Sequence, residues 1–319
     1  MSQVVFVTEM DQHTVSRVLE PAPAHYQVQF CHPEDDNRLV ELMHNAEFVI
    51  EFGSIGPSDT ALRAGQHVKL IQLVSAGFEH LNTTLCQELG IPVANNGGAN
   101  ATDVAEHAVM LMLAVYRRLV EQDANVRHGR YTGIDTGTCT YTLRGKTIGL
   151  VGLGNIGRAT ASLLGSFGTR LLYADQSRAP TNVEQDLGLE FVSLTSLLEQ
   201  SDIVSLHTPL DDSTRNLISS EELGRMKSDA VLINTCRGGV VDQQALTKAL
   251  QQHQIRAAGL DVQAQEPVDP DDPLLSLDNI ILTPHIAGVT ADTWARRGEF
   301  VFTNLERVRN GQTPLAVVA

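Results

Sequence analysis

The sequence predicts an α/β protein of two domains, each a mostly parallel sheet flanked by helices. Three observations predict it. Short apolar runs alternate with helical patterns over most of the 319 residues. The alternation lapses in a polar, glycine-rich stretch at 128–145 and restarts at Lys146. The restart, KTIGLVGLGNIG, is an apolar strand, a glycine-rich turn and the opening of a helix.

In chain order, VVFVTE (4–9), YQVQF (26–30), AEFVIEF (46–52), VKLIQLV (68–74) and IPVAN (91–95) read as strands, with helices at 36–44 and 83–89 among them. A long helix spans 103–121; its AVMLMLAVY run (108–116) is too short to cross a bilayer. After the strand at 146–151 and a helix over 158–166 come TRLLYAD (169–175), LEFVSL (189–194), DIVSLH (202–207), AVLINT (230–235), RAAGLDV (256–262) and NIILTPH (279–285). A last helix covers 291–310. The expected division is a substrate-binding domain of 1–102 plus 289–319 and a cofactor domain of 103–288, with the site in the cleft between them.

The restart carries a chemical meaning. Gly152, Gly154 and Gly157 fill G-x-G-x-x-G after a strand. The first allows a tight turn, the second lets backbone approach a pyrophosphate, and the third lets helix and strand pack closely. The N–H groups of Asn155, Ile156 and Gly157 then open a helix, where an anion is favoured. Asp175 ends the next strand and can accept from ribose hydroxyls while repelling a 2′-phosphate, so NAD(H) is expected over NADP. Arg178, three residues on, works against that preference unless it is merely solvated.

Composition narrows the rest. A net charge of −15 argues against nucleic-acid and anionic-membrane partners. Cys31, Cys86, Cys139 and Cys236 show no paired spacing, which fits a reducing compartment and gives no metal-site pattern. MSQVVFVTEM lacks the apolar core of a signal peptide, so a cytoplasmic protein is expected.

Three later segments bring polar groups to strand ends: NTCRGGVVD with Arg237, GLDVQAQEP with Asp261 and Glu266, and LTPHIAG with His285. In open α/β sheets ligands bind beyond the carboxyl ends of the strands. A guanidinium can bind a carboxylate bidentately and polarise a carbonyl. A histidine moves protons near neutral pH. A buried glutamate beside it would favour the imidazolium and fix the ring. His80, His107 and His207 read as structural. Cys236 reads as a small packed residue, with a thiol activated by Arg237 as the alternative.

Together with VSAGFEHLN (74–82), NNGGANATDVAEHAV (95–109) and LHTPL (206–210), these motifs resemble the D-isomer-specific 2-hydroxyacid dehydrogenase family along nearly the whole chain. The resemblance implies a Rossmann-type NAD domain and a catalytic trio of Arg237, Glu266 and His285. It implies substrate binding by Ser75, Ala76 and Gly77 with Arg237 and His285. For the cofactor it implies Ala76, Thr208, Thr235, Cys236, Arg237, Asp261, His285 and Gly288 besides the glycine turn and Asp175. Gln263, Tyr131 and Asn155 depart from the usual residues at their places.

EFGSIGPSDT (51–60) contains no cation for a phosphorylated substrate, and the chain ends at Ala319 soon after the last helix. A small unphosphorylated 2-keto acid, hydroxypyruvate or glyoxylate in type, is therefore expected, with no regulatory domain. The alternatives are an NAD-sensing corepressor-like binding protein and a formate or phosphite dehydrogenase. The helix at 103–121, with Val109, Leu111, Met112 and Leu113, is expected to form a homodimer.

Overall fold

The computed structural model of the chain describes residues 1–131 and 133–319. They form two compact units, Met1–Asn100 with Val289–Ala319, and Ala101–Gly288.

The first hundred residues run β1 (Ser2–Thr8), α1 (Gln12–Leu19), β2 (Tyr26–Cys31), α2 (Asp36–Met43), β3 (Phe48–Phe52), α3 (Asp59–Ala64), β4 (Leu70–Leu73), α4 (Thr83–Glu88) and β5 (Val93–Ala94). All five strands are parallel, in the order β2-β1-β3-β4-β5. Their side chains alternate between two buried faces. Val5, Val7, Val49 and Ile71 enter one core with Leu39, Leu62 and Leu85 of the helices. Val4, Phe6, Phe48, Ile50 and Leu70 enter the other with Val15 and Val18. Burial on both sides explains why these strands read as continuous apolar runs. Sequence reading passed over α1 and α3, which are short helices started by side-chain caps: Asp11 accepts from His13 and Thr14 N–H, and Ser58 from Ala61 N–H.

The second unit opens with α5 (Ala101–Tyr116) and α6 (Leu119–Arg127). It continues through β6 (Thr147–Val151), α7 (Asn155–Gly165), β7 (Arg170–Ala174), α8 (Thr181–Leu187), β8 (Leu189–Phe191), α9 (Leu194–Gln200) and β9 (Ile203–Leu206). It closes with α10 (Ser220–Arg225), β10 (Val231–Asn234), α11 (Gln243–Gln251), β11 (Ala257–Leu260) and β12 (Ile280–Leu282). The seven strands are parallel, ordered β12-β11-β10-β9-β6-β7-β8. The order reverses between β6 and β9, so the glycine turn after β6 stands at the topological switch point. The chain then returns to the first unit as α12 (Thr293–Arg309), whose Trp294, Val301, Phe302 and Leu305 complete its second core.

Two expectations need correction. The helix of 103–121 ends at Tyr116, because Arg118 takes a left-handed conformation (φ 49°) and α6 starts anew. One such residue interrupts the i→i−4 ladder, and no Gly or Pro announces it. The strand at 189–194 stops at Phe191, since Ser193 caps α9 through Ser196 N–H.

Candidate active site

The glycine turn is built as its spacing demands. Gly152 has φ 94°, and a Cβ there would stand 2.6 Å from the His207 carbonyl oxygen. A Cβ on Gly157 would collide with the Gly152 carbonyl. These two glycines serve the fold. Gly154 differs: a Cβ there would meet open space, so packing within the chain does not require a glycine at this place. The Arg158 N–H donates to the Gly154 carbonyl, so the helical ladder of α7 begins at the glycine turn. Asp175 lies exposed at the end of β7; its Oδ2 accepts from Leu153 N–H at 2.7 Å, which ties it to the turn.

The next two strand ends continue this edge. Thr208 follows β9, and Thr235 and Cys236 follow β10. The Thr235 hydroxyl and His207 Nδ1 are buried without a hydrogen-bond partner among the described residues. Burial pushes the Cys236 thiol pKa up, although the neighbouring backbone and Arg237 oppose it; the thiol donates to Asn234 Oδ1 at 3.1 Å. Cys236 is buried, and its thiol is hydrogen-bonded within the turn after β10. Open space at Gly154, the orphaned groups and the accessible Asp175 together fit a bound dinucleotide. When bound, NADH supplies a hydride.

Arg237 is aimed by its turn. Asn234 is buried and its Nδ2 donates to the Arg237 carbonyl at 2.9 Å, while its Oδ1 accepts from Cys236 N–H at 3.0 Å. Gly238 lies against the Gln263 backbone so tightly that any Cβ would collide with it, which brings the Arg237 and Glu266 loops together. Glu266 Oε1 accepts from Gln263 N–H at 2.9 Å, and Oε2 pairs with His285 Nδ1 at 2.7 Å. Burial pushes the Glu266 pKa up, but the bonds from His285 and Gln263, with the charges of His285 and Arg237, hold it below the usual carboxylate value. The expected buried glutamate is in fact 34% exposed, and His285 48%, because both loops leave the sheet edge toward solvent.

His285 has φ 55°, a strained conformation for a non-glycine residue. Asp261 holds it there. Fully buried, Asp261 accepts from Thr283 Oγ1 at 2.6 Å, Ile286 N–H at 2.9 Å and Ala287 N–H at 2.7 Å. Its carbonyl accepts from His285 N–H at 2.8 Å. His107 of α5 pairs with Thr283 Oγ1 at 3.0 Å. The expectation for Asp261 was a cofactor contact. Its side chain also accepts the three bonds that staple the His285 loop, which Gly288 ends. Asn234, Thr283 and Asp261 in this role escaped sequence reading, since each acts through a fold contact.

In the other unit, Ser75, Ala76 and Gly77 follow β4. Their carbonyls accept from Asn96 N–H (3.0 Å), Asn95 Nδ2 (3.0 Å) and Ser75 Oγ (2.7 Å), respectively. Their own N–H groups have no acceptor among the described residues.

The model of the "D-isomer specific 2-hydroxyacid dehydrogenase, NAD binding domain" matches residues 109–287. The chain belongs to this family. Among its relatives is a glyoxylate reductase of Korarchaeum cryptofilum, 36% identical over 98% of this chain and 95% of the relative. A glyoxylate reductase of Thermofilum pendens is 45% identical over 80% of this chain and 76% of the relative. A solved NADPH-dependent glyoxylate/hydroxypyruvate reductase from Sinorhizobium meliloti, in complex with citrate, aligns over 100% of this chain and 98% of its own, with TM-score 0.86 and 27% identity. The dehydrogenase is thus an NAD-binding oxidoreductase with a Rossmann-type domain. Among the described residues no helix is long and apolar enough to cross a membrane.

Proposed function

We propose that this dehydrogenase reduces a small unphosphorylated 2-keto acid, of the hydroxypyruvate or glyoxylate kind, to the D-2-hydroxy acid with NADH. The His285–Glu266 pair beside the Arg237 loop carries the reading, and the reductase names of the relatives support it. His285, as imidazolium, gives its Nε2 proton to the keto oxygen, and in the reverse direction takes it back. Glu266 orients the ring through Nδ1 and stabilises its charge. Arg237 anchors the substrate carboxylate and polarises the carbonyl. The N–H groups of Ser75, Ala76 and Gly77 suit a carboxylate as a backbone nest does. For the cofactor, the turn Gly152–Gly157 takes the pyrophosphate and Asp175 the adenosine ribose. Thr208, Thr235 and Cys236 line the nicotinamide side.

The free cysteines Cys31, Cys86, Cys139 and Cys236 support a reducing, cytoplasmic setting. The exposed apolar residues of α5 and α6 support a homodimer. The test of the reaction is NADH consumption by the purified enzyme with glyoxylate, hydroxypyruvate, pyruvate and 3-phosphohydroxypyruvate, and NADH formation from NAD and formate. Turnover of the first two above the rest is expected. Preference for the phosphorylated acid or for formate would refute the substrate, and no turnover at all would refute the activity.

A further inference from the structure

Arg178 stands three residues after Asp175, where a cation could recruit a 2′-phosphate, yet its guanidinium is already engaged. Its Nε donates to Glu184 Oε1 at 2.9 Å and its Nη2 to Oε2 at 2.9 Å, a two-pronged pair. Glu184, in the first turn of α8, is itself fixed. Its side chain is only 8% exposed, against 65% for Arg178, and the Tyr173 hydroxyl donates to its Oε1 at 2.6 Å. The Tyr173 oxygen accepts in turn from Ala179 N–H at 2.8 Å, which fixes the loop that carries Arg178. The Phe191 ring lies 5.9 Å from the guanidinium.

We propose that Glu184 is a cofactor-specificity determinant: it holds and neutralises Arg178, so that the adenosine end of the site keeps the net negative charge of Asp175 and disfavours a 2′-phosphate. This rests on the reading that Asp175 faces the adenosine ribose. The sequence shows a cation and an anion after the second strand of the unit; the structure cancels the cation with a carboxylate from the following helix. A released Arg178 would pair with a phosphate through its planar fork.

The test is calorimetric binding of 5′-AMP and of adenosine 2′,5′-bisphosphate to the full chain, with no turnover involved. Glu184→Gln keeps an acceptor for Tyr173 and frees the guanidinium. It should tighten bisphosphate binding on the order of tenfold, the worth of one charge-assisted pair, and leave 5′-AMP binding unchanged. Adding Arg178→Ala should abolish the gain. Tyr173→Phe keeps the core ring but loosens Glu184, and should produce a smaller gain in the same direction. Unchanged bisphosphate affinity in folded Glu184→Gln overturns the proposal, as does a gain that survives Arg178→Ala. If Glu184→Gln does not fold, the absence of any gain in Tyr173→Phe overturns it. If the parent chain and Asp175→Ala both fail to bind 5′-AMP, the reading of the adenosine site falls and the proposal with it.

Discussion

At the scale of single residues, the trio separates by what each atom touches. His285 presents Nδ1 to Glu266 at 2.7 Å, and the proposed proton transfer uses its other ring nitrogen. His285→Ala should lower kcat by about a hundred- to ten-thousand-fold while NADH binding changes little, because the glycine turn and Asp175 are untouched. Near-parental kcat in that variant would assign the proton to another group. Glu266→Gln should act more mildly, and the reduction rate should begin to fall at lower pH, since the carboxylate no longer favours the charged ring. Arg237→Ala should raise KM and lower kcat together, as expected of a group that both binds and polarises. His207 offers a stability test instead. Burial pushes its pKa down from 6.5 to about 4. Above 6.5 both folded and unfolded histidine are neutral and nothing is lost; below it the unfolded chain takes up a proton that the folded chain refuses. Stability should therefore fall between pH 6.5 and about 4, by up to about 3 kcal/mol. Denaturant melts across that range, in the parent and in His207→Asn, measure it. An equally steep decline in the variant would assign the effect elsewhere.

At the scale of elements, the Arg237 turn is held locally by Asn234, whereas the His285 loop is held by a long-range staple. Asp261 follows β11 and accepts from backbone N–H groups 25 and 26 residues later. Asp261→Asn replaces one acceptor oxygen with a donor that must face an N–H or hydroxyl, leaving a buried group unsatisfied at about 1–3 kcal/mol. The expected result is a lower melting temperature together with a loss in kcat of at least tenfold, since His285 loses the support for its left-handed backbone. Unchanged kcat with a lowered melting temperature would make Asp261 purely structural.

At the scale of the whole molecule, exposed apolar residues occur in both units, and several of them fall on α5 and α6. Leu111 and Met112, two of the residues expected to form a dimer, are fully buried within their own unit and Val109 nearly so. The exposed residues are instead Met110 of α5, Leu119, Val120 and Val126 of α6, and Ile134, which is 95% exposed. No α6 residue is buried, although the helix carries three large apolar side chains. Beside it, Met110, Leu113, Leu163 and Phe167 line a cavity of about 890 Å³. These exposed groups are the observation behind the proposed homodimer. Light scattering at micromolar concentration should give twice the chain mass, and Val120→Asp with Met110→Glu should shift it toward one. A monomeric parent would end the dimer reading.

What the sequence determined by itself is what local pattern encodes. Alternating apolar runs specified two parallel sheets, because strands buried on both faces must be apolar throughout. The spacing of Gly152, Gly154 and Gly157 ahead of Asp175 specified the dinucleotide turn, because backbone approach there forbids side chains. Family motifs carried Arg237, Glu266 and His285. The short helices α1 and α3 were not legible, since few apolar residues mark them and their starts depend on single caps. The break at Arg118 was not legible either, as any residue can be forced left-handed by its surroundings. Only the tertiary structure decided that Asp261 staples the catalytic loop, that Gly238 yields to Gln263, that Glu184 holds Arg178, and that α6 rather than the buried side of α5 exposes the apolar face. Each of these depends on residues brought together by packing, and neither propensity nor periodicity along the chain records which distant groups will meet.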